Sequence, residues 1–447
     1  MADTVIADKA KVRKQGGVNN TRPRKKTPIM HPQPWTRRSF LLTAAAAAAA
    51  SAAPSPACKK IALIGTVVQL HSHAQHFLDR LALGYTWGGK WRQPECDLVS
   101  LYADQFPAKD LARSRAKKYG IPIFPSIADA LTLGTGRLAV DGVVIIGEHG
   151  DYPHNEIGQH LYPRFDFFQQ VVKVFEASGR SVPVFNDKHL STDWKQCAGM
   201  VADSKRLGFP FLAGSSLPVT QRLPAIDLQW GTPLAESVAI GYGGVDSYDF
   251  HGLETAQCMS ERRRGGETGI RSVQALRGAK MWEQVAARGQ TQRLLTAALC
   301  RSHNLPVEEG YESAAVDFDW ARRVFPEAFA YFIEHRDGFR TTLFMLPIRD
   351  FNYAGLHADT GEITSCQMFL PMPGSSASTA DFFNPLVHHI GRMVRENRSP
   401  WPIERTLLTS GMLLAAVQSL HRDGALIETP EMEVRYTAPK ESLFWND

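Results

Sequence analysis

The chain has 447 residues, 44% of them apolar, 21% charged and six of them cysteine. That length exceeds one ordinary domain of roughly 100–200 residues, and scattered cysteines with no C-x-x-C pair exclude a disulfide framework or a zinc knuckle. The formal charge of +5 is concentrated at one end: ten Lys and Arg stand against Asp3 and Asp8 in residues 1–57, a net +8, which leaves the body at −3, without the electrostatic footprint of a nucleic-acid binder.

The basic leader ends in TRRSFLLTAAAAAAASAAPSPA, residues 36–57. Paired arginines, a short apolar stretch, an alanine run and small residues suited to cleavage together resemble a twin-arginine export signal. The apolar run falls short of the ~20 residues that a spanning helix needs. The resemblance implies passage through the export machinery as a folded protein and a periplasmic or other extracytoplasmic location.

Residues 61–64 form a continuous apolar run that ends in Gly65 and feeds a helix carrying His73, His76, Phe77, Leu78 and Leu81. Strand, glycine and helix in that order open a doubly wound sheet, whose ligands bind at the carboxyl edge. A dinucleotide fingerprint G-x-G-x-x-G needs its second glycine so that the backbone can approach the pyrophosphate, and its third for close helix packing. Gly65 holds the first place, but Val67 would put a branched side chain in that gap and Leu70 would crowd strand against helix. His71, His73 and His76 share the same segment.

Further on, GYTWGGKW (84–91) reads either as an exposed binding loop or as an insertion that packs its own tryptophans. Residues 98–103 are a second buried strand, followed by Asp104, either a ribose-binding acid that favours NAD over NADP or a helix N-terminal carboxylate. Helices are expected over 108–120, 127–133, 167–177 and 192–207, and strands over 141–146, 182–185 and 209–213. This alternation implies a parallel sheet with helices on both faces. Past Pro218 the pattern changes: a strand over 237–240, an amphipathic helix over 250–264, a strand over 269–276, a long helix over 279–300, antiparallel strands between 329 and 372, and a late helix over 406–420. The expected organisation is a leader (1–57), an α/β domain with a doubly wound parallel sheet (58–218) and an α+β domain with a large, mostly antiparallel sheet (219–447).

From residue 60 onward this order resembles the Gfo/Idh/MocA family of glucose-fructose oxidoreductase and inositol dehydrogenase. KIALIG with His73 resembles the opening unit, and SLYADQFPAKDLARSRAKKYGIPIFPSIADAL the second strand and its acid. DGVVIIGEHGDYPHNEIG, SVPVFNDKHLS, GGVDSYDFHGLE and PWPIERTLLTSGMLLAAVQSL resemble the later motifs. The resemblance implies a Rossmann-like first domain, NAD or NADP as cofactor, a sugar or polyol as substrate, and a homo-oligomer paired through the open face of the second sheet. It implies cofactor contacts at Gly65, Val67, His73, Asp104 and His154. Lys188 matches the lysine of the family's Glu-Lys-Pro triplet, with Asp187 and His189 replacing its neighbours. His251 and Asp246 match the second-domain pair, where the histidine acts as acid/base on a sugar hydroxyl.

Other readings of the same residues stand beside these. Lys188 would equally be a surface lysine capping a helix. Asp246 or Asp249 would simply cap the helix in whose first turn His251 sits. His71, His73, His149 and His189 gather at strand ends with Glu148, Asp151 and Asp187; neutral imidazoles with a carboxylate suit zinc or another divalent ion, so a metal- or histidine-dependent lyase, hydrolase or isomerase is the alternative to a metal-free oxidoreductase. A non-catalytic sugar-binding protein is the third.

Overall fold

The structure, a computed structural model, describes residues 58–306, 316–371 and 379–446; the leader and Met372 lie outside them. The first half runs β1 (Lys59–Gly65), α1 (His73–Leu83), β2 (Tyr85–Trp87), β3 (Lys90–Arg92), β4 (Cys96–Ala103), α2 (Ala112–Tyr119), α3 (Ile127–Thr132), β5 (Gly142–Ile146), α4 (Arg164–Ser178), β6 (Val184–Asp187), α5 (Trp194–Leu207) and β7 (Phe211–Gly214). The long strands form a parallel sheet in the order β4-β1-β5-β6-β7. Period-two alternation sends β1 side chains to opposite faces: Ala62 and Ile64 join the core under α3 and α4, while Ile61 and Leu63 pack with Phe77, Leu78 and Leu81 of α1. Strand order reverses at β1, so the loops after β1, β4, β5 and β6 share one carboxyl edge, where α/β folds bind ligands.

The segment 84–91 is a hairpin rather than a free loop. Gly88 and Gly89 both have positive φ, which a two-residue turn matching strand twist requires. Trp87 stacks on His388 and Trp445 at 4.2 and 5.9 Å between ring centres, whereas Trp91 is exposed.

The second half contains β8 (Arg222–Leu223), β9 (Leu234–Gly241), α6 (Asp249–Ser260), β10 (Ile270–Arg277), α7 (Gly278–Ala286), α8 (Gly289–Leu299), α9 (Phe318–Val324), β11 (Phe329–His335), β12 (Arg340–Met345), β13 (Phe351–His357), β14 (Ile363–Met368), α10 (Asn384–Glu396), α11 (Glu404–His421) and β15 (Ile427–Glu428). Its eight-stranded sheet has the order β15-β10-β11-β12-β9-β13-β14-β8, and only the β12–β9 pair is parallel. Three expectations change. The helix over 250–264 is not amphipathic: every residue of α6 is buried, because the sheet covers one side and α11 the other. The long helix over 279–300 breaks into α7 and α8 at Arg288, which leaves the helical region (ψ 77°). And among the described residues the face of the second sheet expected to be open is covered: Val238, Ile240, Phe332, Phe344 and Leu356 pack under Trp282, Leu294, Leu295 and Trp320 of α7–α9.

Helix α11 binds the two sheets together with short polar side chains. Thr406 Oγ1 donates to the Ala213 carbonyl at 2.8 Å, and Ser410 Oγ accepts from Leu190 N at 3.1 Å. Thr409 Oγ1 donates to Glu254 Oε1 of α6 at 2.8 Å, and Arg405 pairs with Glu261. Gly214, the last residue of β7, touches this junction with φ +118°; a Cβ there would lie 2.5 Å from Glu254 Oε2 and 3.1 Å from Thr406 Oγ1. Gly214→Ala combines a backbone conformation denied to alanine with a buried clash, and should cost about 2–3 kcal/mol. The check is a lowered urea midpoint at unchanged m.

Candidate active site

Glu148 follows β5 by two residues. Thr66, just past β1, donates its hydroxyl to the Glu148 carbonyl at 2.5 Å and accepts from Glu148 N at 3.1 Å. This two-way bond fixes the start of the β5 loop against the β1 loop. β6 ends in Asn186-Asp187, and Lys188 then adopts φ +64° while its N–H still bonds Gly214 O at 3.0 Å. The left-handed step turns the lysine side chain inward. His73 is the first residue of α1, behind the N-cap Ser72.

These side chains meet. Lys188 Nζ donates to Glu148 Oε1 at 2.6 Å. His73 Nδ1 bonds Asp187 Oδ2 at 2.7 Å and lies 3.0 Å from Glu148 Oε2. His149 Nε2 lies 3.4 Å from Glu148 Oε1. Burial opposes the charges on His73, Lys188 and Glu148, but their partners outweigh it; at His149 burial prevails and lowers the imidazole's value. Asp187 and Glu148 lift His73 to about 9. Glu148 and Asp187 likewise hold Lys188 above its ordinary value. His73 and Lys188 keep Glu148 well below the usual carboxylate range. Lys188 is therefore a buried, paired ammonium rather than a surface cap.

The opposite wall comes from the start of α6 and the 147–163 loop. His251 is buried, its ring centre 6.2 Å from that of His73. Burial, reinforced by the charges on Lys188 and His73, pushes it well below the usual imidazole value, so it is neutral at pH 7, and its Nδ1 is buried without a hydrogen-bond partner. Asp246 accepts from Gln159 Nε2 and His160 N at 3.2 and 3.1 Å, which fastens the loop over the site. Asp249 is the cap: it accepts from the backbone of Asp246, Ser247 and Phe250, and from the Tyr331 hydroxyl. Arg164 bonds His189 Nε2 at 2.9 Å.

The result is one cavity of about 580 Å³, lined by eight of the chain's fifteen histidines. Four of the eight non-glycine residues with positive φ among the described residues, His71, His149, Lys188 and Asp246, lie on its wall. Such backbone costs on the order of 1–3 kcal/mol per residue and persists where surrounding structure imposes it, often at functional sites.

Among the residues singled out in the sequence, Lys188, His251, Asp246, His71, His73, His149, His154 and His189 all line this cavity; Gly65, Val67 and Asp104 do not. Leu70 is 66% exposed and crowds nothing. Asp104 accepts from the Tyr102 and Tyr152 hydroxyls at 2.7 and 2.6 Å, one on each oxygen, where a ribose diol was expected. Gln105 clasps the backbone of Asp151 through both ends of its amide, at 2.8 and 3.1 Å. β4 and β5 flank β1, so these contacts cross the carboxyl end of β1, the path a dinucleotide takes. At the start of α1, Ser72 Oγ accepts from Gln69 N and Gln75 N, and Gln75 Oε1 from His71 N. In this structure Tyr102, Tyr152 and the backbone of Asp151 hold the groups that a dinucleotide's ribose would meet. The four-histidine metal set also changes: His71 sits exposed on the rim, His189 is bound to Arg164, and among the described residues only His73 belongs to a group of donors within reach of one ion, with Glu148 and Asp187.

Sequence reading missed the part of Arg164, Tyr162 and His160, and gave Glu148 no central place. The signal was the length of GEHGDYPHNEIGQHLYP, seventeen residues between strand and helix, since connections of that length are uncommon unless functional.

No protein-family profile matches the sequence, and no curated protein sequence matches it. Solved structures do. GenD2 from gentamicin A biosynthesis, in complex with NAD, aligns with TM-score 0.52 and 12% identity over 83% of this chain and 96% of its own. Apo scyllo-inositol dehydrogenase from Lactobacillus casei gives 0.50 and 11% over 83% and 98%. Myo-inositol dehydrogenase from Lactobacillus casei, in complex with NAD(H) and myo-inositol, gives 0.50 and 10% over 83% and 96%. At these identities the likeness establishes the fold, a Rossmann-like parallel sheet joined to a mostly antiparallel one, as in Gfo/Idh/MocA-type dehydrogenases.

The fold raises the affinity of His73 for its proton, so its charged contacts stabilise fully below the unfolded value near 6.5 and fade as pH rises through about 9. In chelator-treated protein the stability advantage of wild type over His73→Gln should be largest near pH ~6 and shrink toward pH ~9.5. A pH-independent difference in urea midpoints would show that His73 is not held as the cation.

Proposed function

We propose that the chain binds a small polyhydroxylated molecule, a sugar or cyclitol-like polyol, in the histidine-lined cavity, with Lys188 and His251 hydrogen-bonding its hydroxyls and without a nicotinamide dinucleotide. The observation that carries this reading is the facing of a charged Lys188 and a neutral His251 across one cavity. A lysine ammonium and a neutral imidazole give substrate hydroxyls hydrogen-bonding partners. The ammonium, fixed by Glu148, donates to a hydroxyl oxygen. Asp246 and Arg164 position the loop and His189. Phe351, Phe383 and Tyr248 on the wall supply apolar faces for the C–H side of a sugar ring. The cavity volume falls in the roughly 300–1,000 Å³ range of small-molecule sites. The leader makes export as a folded protein by the twin-arginine route part of the proposal.

The fold supports a second reading, an NAD(P)-dependent oxidoreductase on the same class of substrate, since solved structures of like fold are complexes with NAD and with myo-inositol. That reading needs the Asp104–Tyr152 and Gln105–Asp151 contacts to open.

Calorimetry of the full chain with inositol isomers and aldohexoses, beside NADH titrations followed by fluorescence, separates the two. The first reading expects polyol binding and no NADH binding, with Lys188→Met and His251→Ala each weakening polyol binding about ten-fold or more. Stoichiometric nucleotide in the purified protein would replace it with the second.

A further inference from the structure

We propose that His73, Glu148 and Asp187 form a site for one divalent transition-metal ion of the manganese or zinc class at the floor of the cavity. The three residues come from three elements, the start of α1 and the ends of β5 and β6, so their convergence is a product of the fold and not of local sequence. One atom from each, His73 Nδ1 and a carboxylate oxygen from Glu148 and Asp187, lie within 4.8 Å of one another. Nδ1 is 2.7 Å from Asp187 Oδ2 and 3.0 Å from Glu148 Oε2. An ion holding its ligands at roughly 2.1 Å in octahedral geometry places neighbours about 3 Å apart.

A second observation points to a ligand. Nδ1 has one hydrogen to give, and it goes to Asp187. Glu148 Oε2 and Asp187 Oδ1 are then buried with no hydrogen-bond partner, on residues only 8% and 1% exposed. Buried carboxylate oxygens without donors are costly and rare. Lys188 does not relieve Oε2, because it bonds Oε1. A cation between the three groups would satisfy Oε2 and take the place of the Nδ1 hydrogen, which leaves to solvent as the ion binds. One imidazole with two carboxylates suits Mn(II), Fe(II) or Zn(II) better than the all-oxygen sites of calcium or the thiolate sites of copper(I). His73 and Glu148 both line the cavity, so the remaining coordination positions face it, where hydroxyls of a polyol would complete the shell. The ion site rests on this donor geometry and stands independently of the polyol reading above.

The test is titration of chelator-stripped full-length protein with MnCl2, free Mn(II) being read by electron paramagnetic resonance. The expected result is one Mn(II) per chain, displaced by ZnCl2, with Glu148→Gln and Asp187→Asn each weakening binding at least about ten-fold. His71→Gln, on the rim, should bind as wild type. Spin-echo spectra of the wild type should show nitrogen coupling from one imidazole, a readout that survives if either variant fails to fold. No stoichiometric site, no imidazole coupling, or unchanged affinity in both folded carboxylate variants would overturn the site and leave a closed ion-pair cluster; loss in His71→Gln would transfer it to a histidine set.

Discussion

The cavity depends on one buried carboxylate. Glu148 is removed from water at the end of a strand whose own residues are all apolar, and an unpaired charge there would be prohibitive. It is made tolerable from both sides of the sheet: Lys188 arrives from β6 through a left-handed step, His73 from the first turn of α1, and Thr66 fixes the backbone that carries it. Each of these demands propagates. Lys188 must sit at positive φ, which ties its N–H to Gly214; Gly214 must be glycine, because Glu254 and Thr406 close over it. The charge arrangement in the cavity and the α11 junction are thus one connected constraint.

The fold is shared with dinucleotide-bound structures at 10–12% identity, a likeness that reaches the fold alone. Fold does not fix function, which lives in the groups placed on it. In this chain the loops after β4 and β5 grip each other across β1, through Tyr152 on Asp104 and Gln105 on Asp151, while the cavity beyond them is rich in imidazole and paired charge. What the topological switch point retains is a concave carboxyl edge.

Much of the fold was legible in the sequence because strands buried on both faces write themselves as apolar runs, as residues 61–64 and 142–146 do, and because helices alternate with them. α10 escaped notice although Leu386, Val387, Ile390, Met393 and Val394 have helical spacing and are buried, Pro385 stands in its first turn and Asn397 ends it in the left-handed region. α6 misled because a helix enclosed on all sides has no polar face to reveal its orientation. At the site, the gathering of histidines was legible, since residues at the ends of parallel strands must share an edge. The partnerships were not. Nothing in sequence says that Lys188 reaches Glu148, forty positions away, or that Tyr152 rather than a ribose meets Asp104. Leu70 was misjudged because its direction depends on a loop longer than the glycine fingerprint assumes.

The account's central claim, that Glu148 and Lys188 hold each other in place, is tested most directly by a double-mutant cycle of Lys188→Met and Glu148→Gln in urea unfolding at neutral pH. The structure predicts that either single change is more damaging than both together would suggest, with a coupling energy of about 1–3 kcal/mol. Single-variant losses that add to the double-variant loss within about 0.3–0.5 kcal/mol would contradict it.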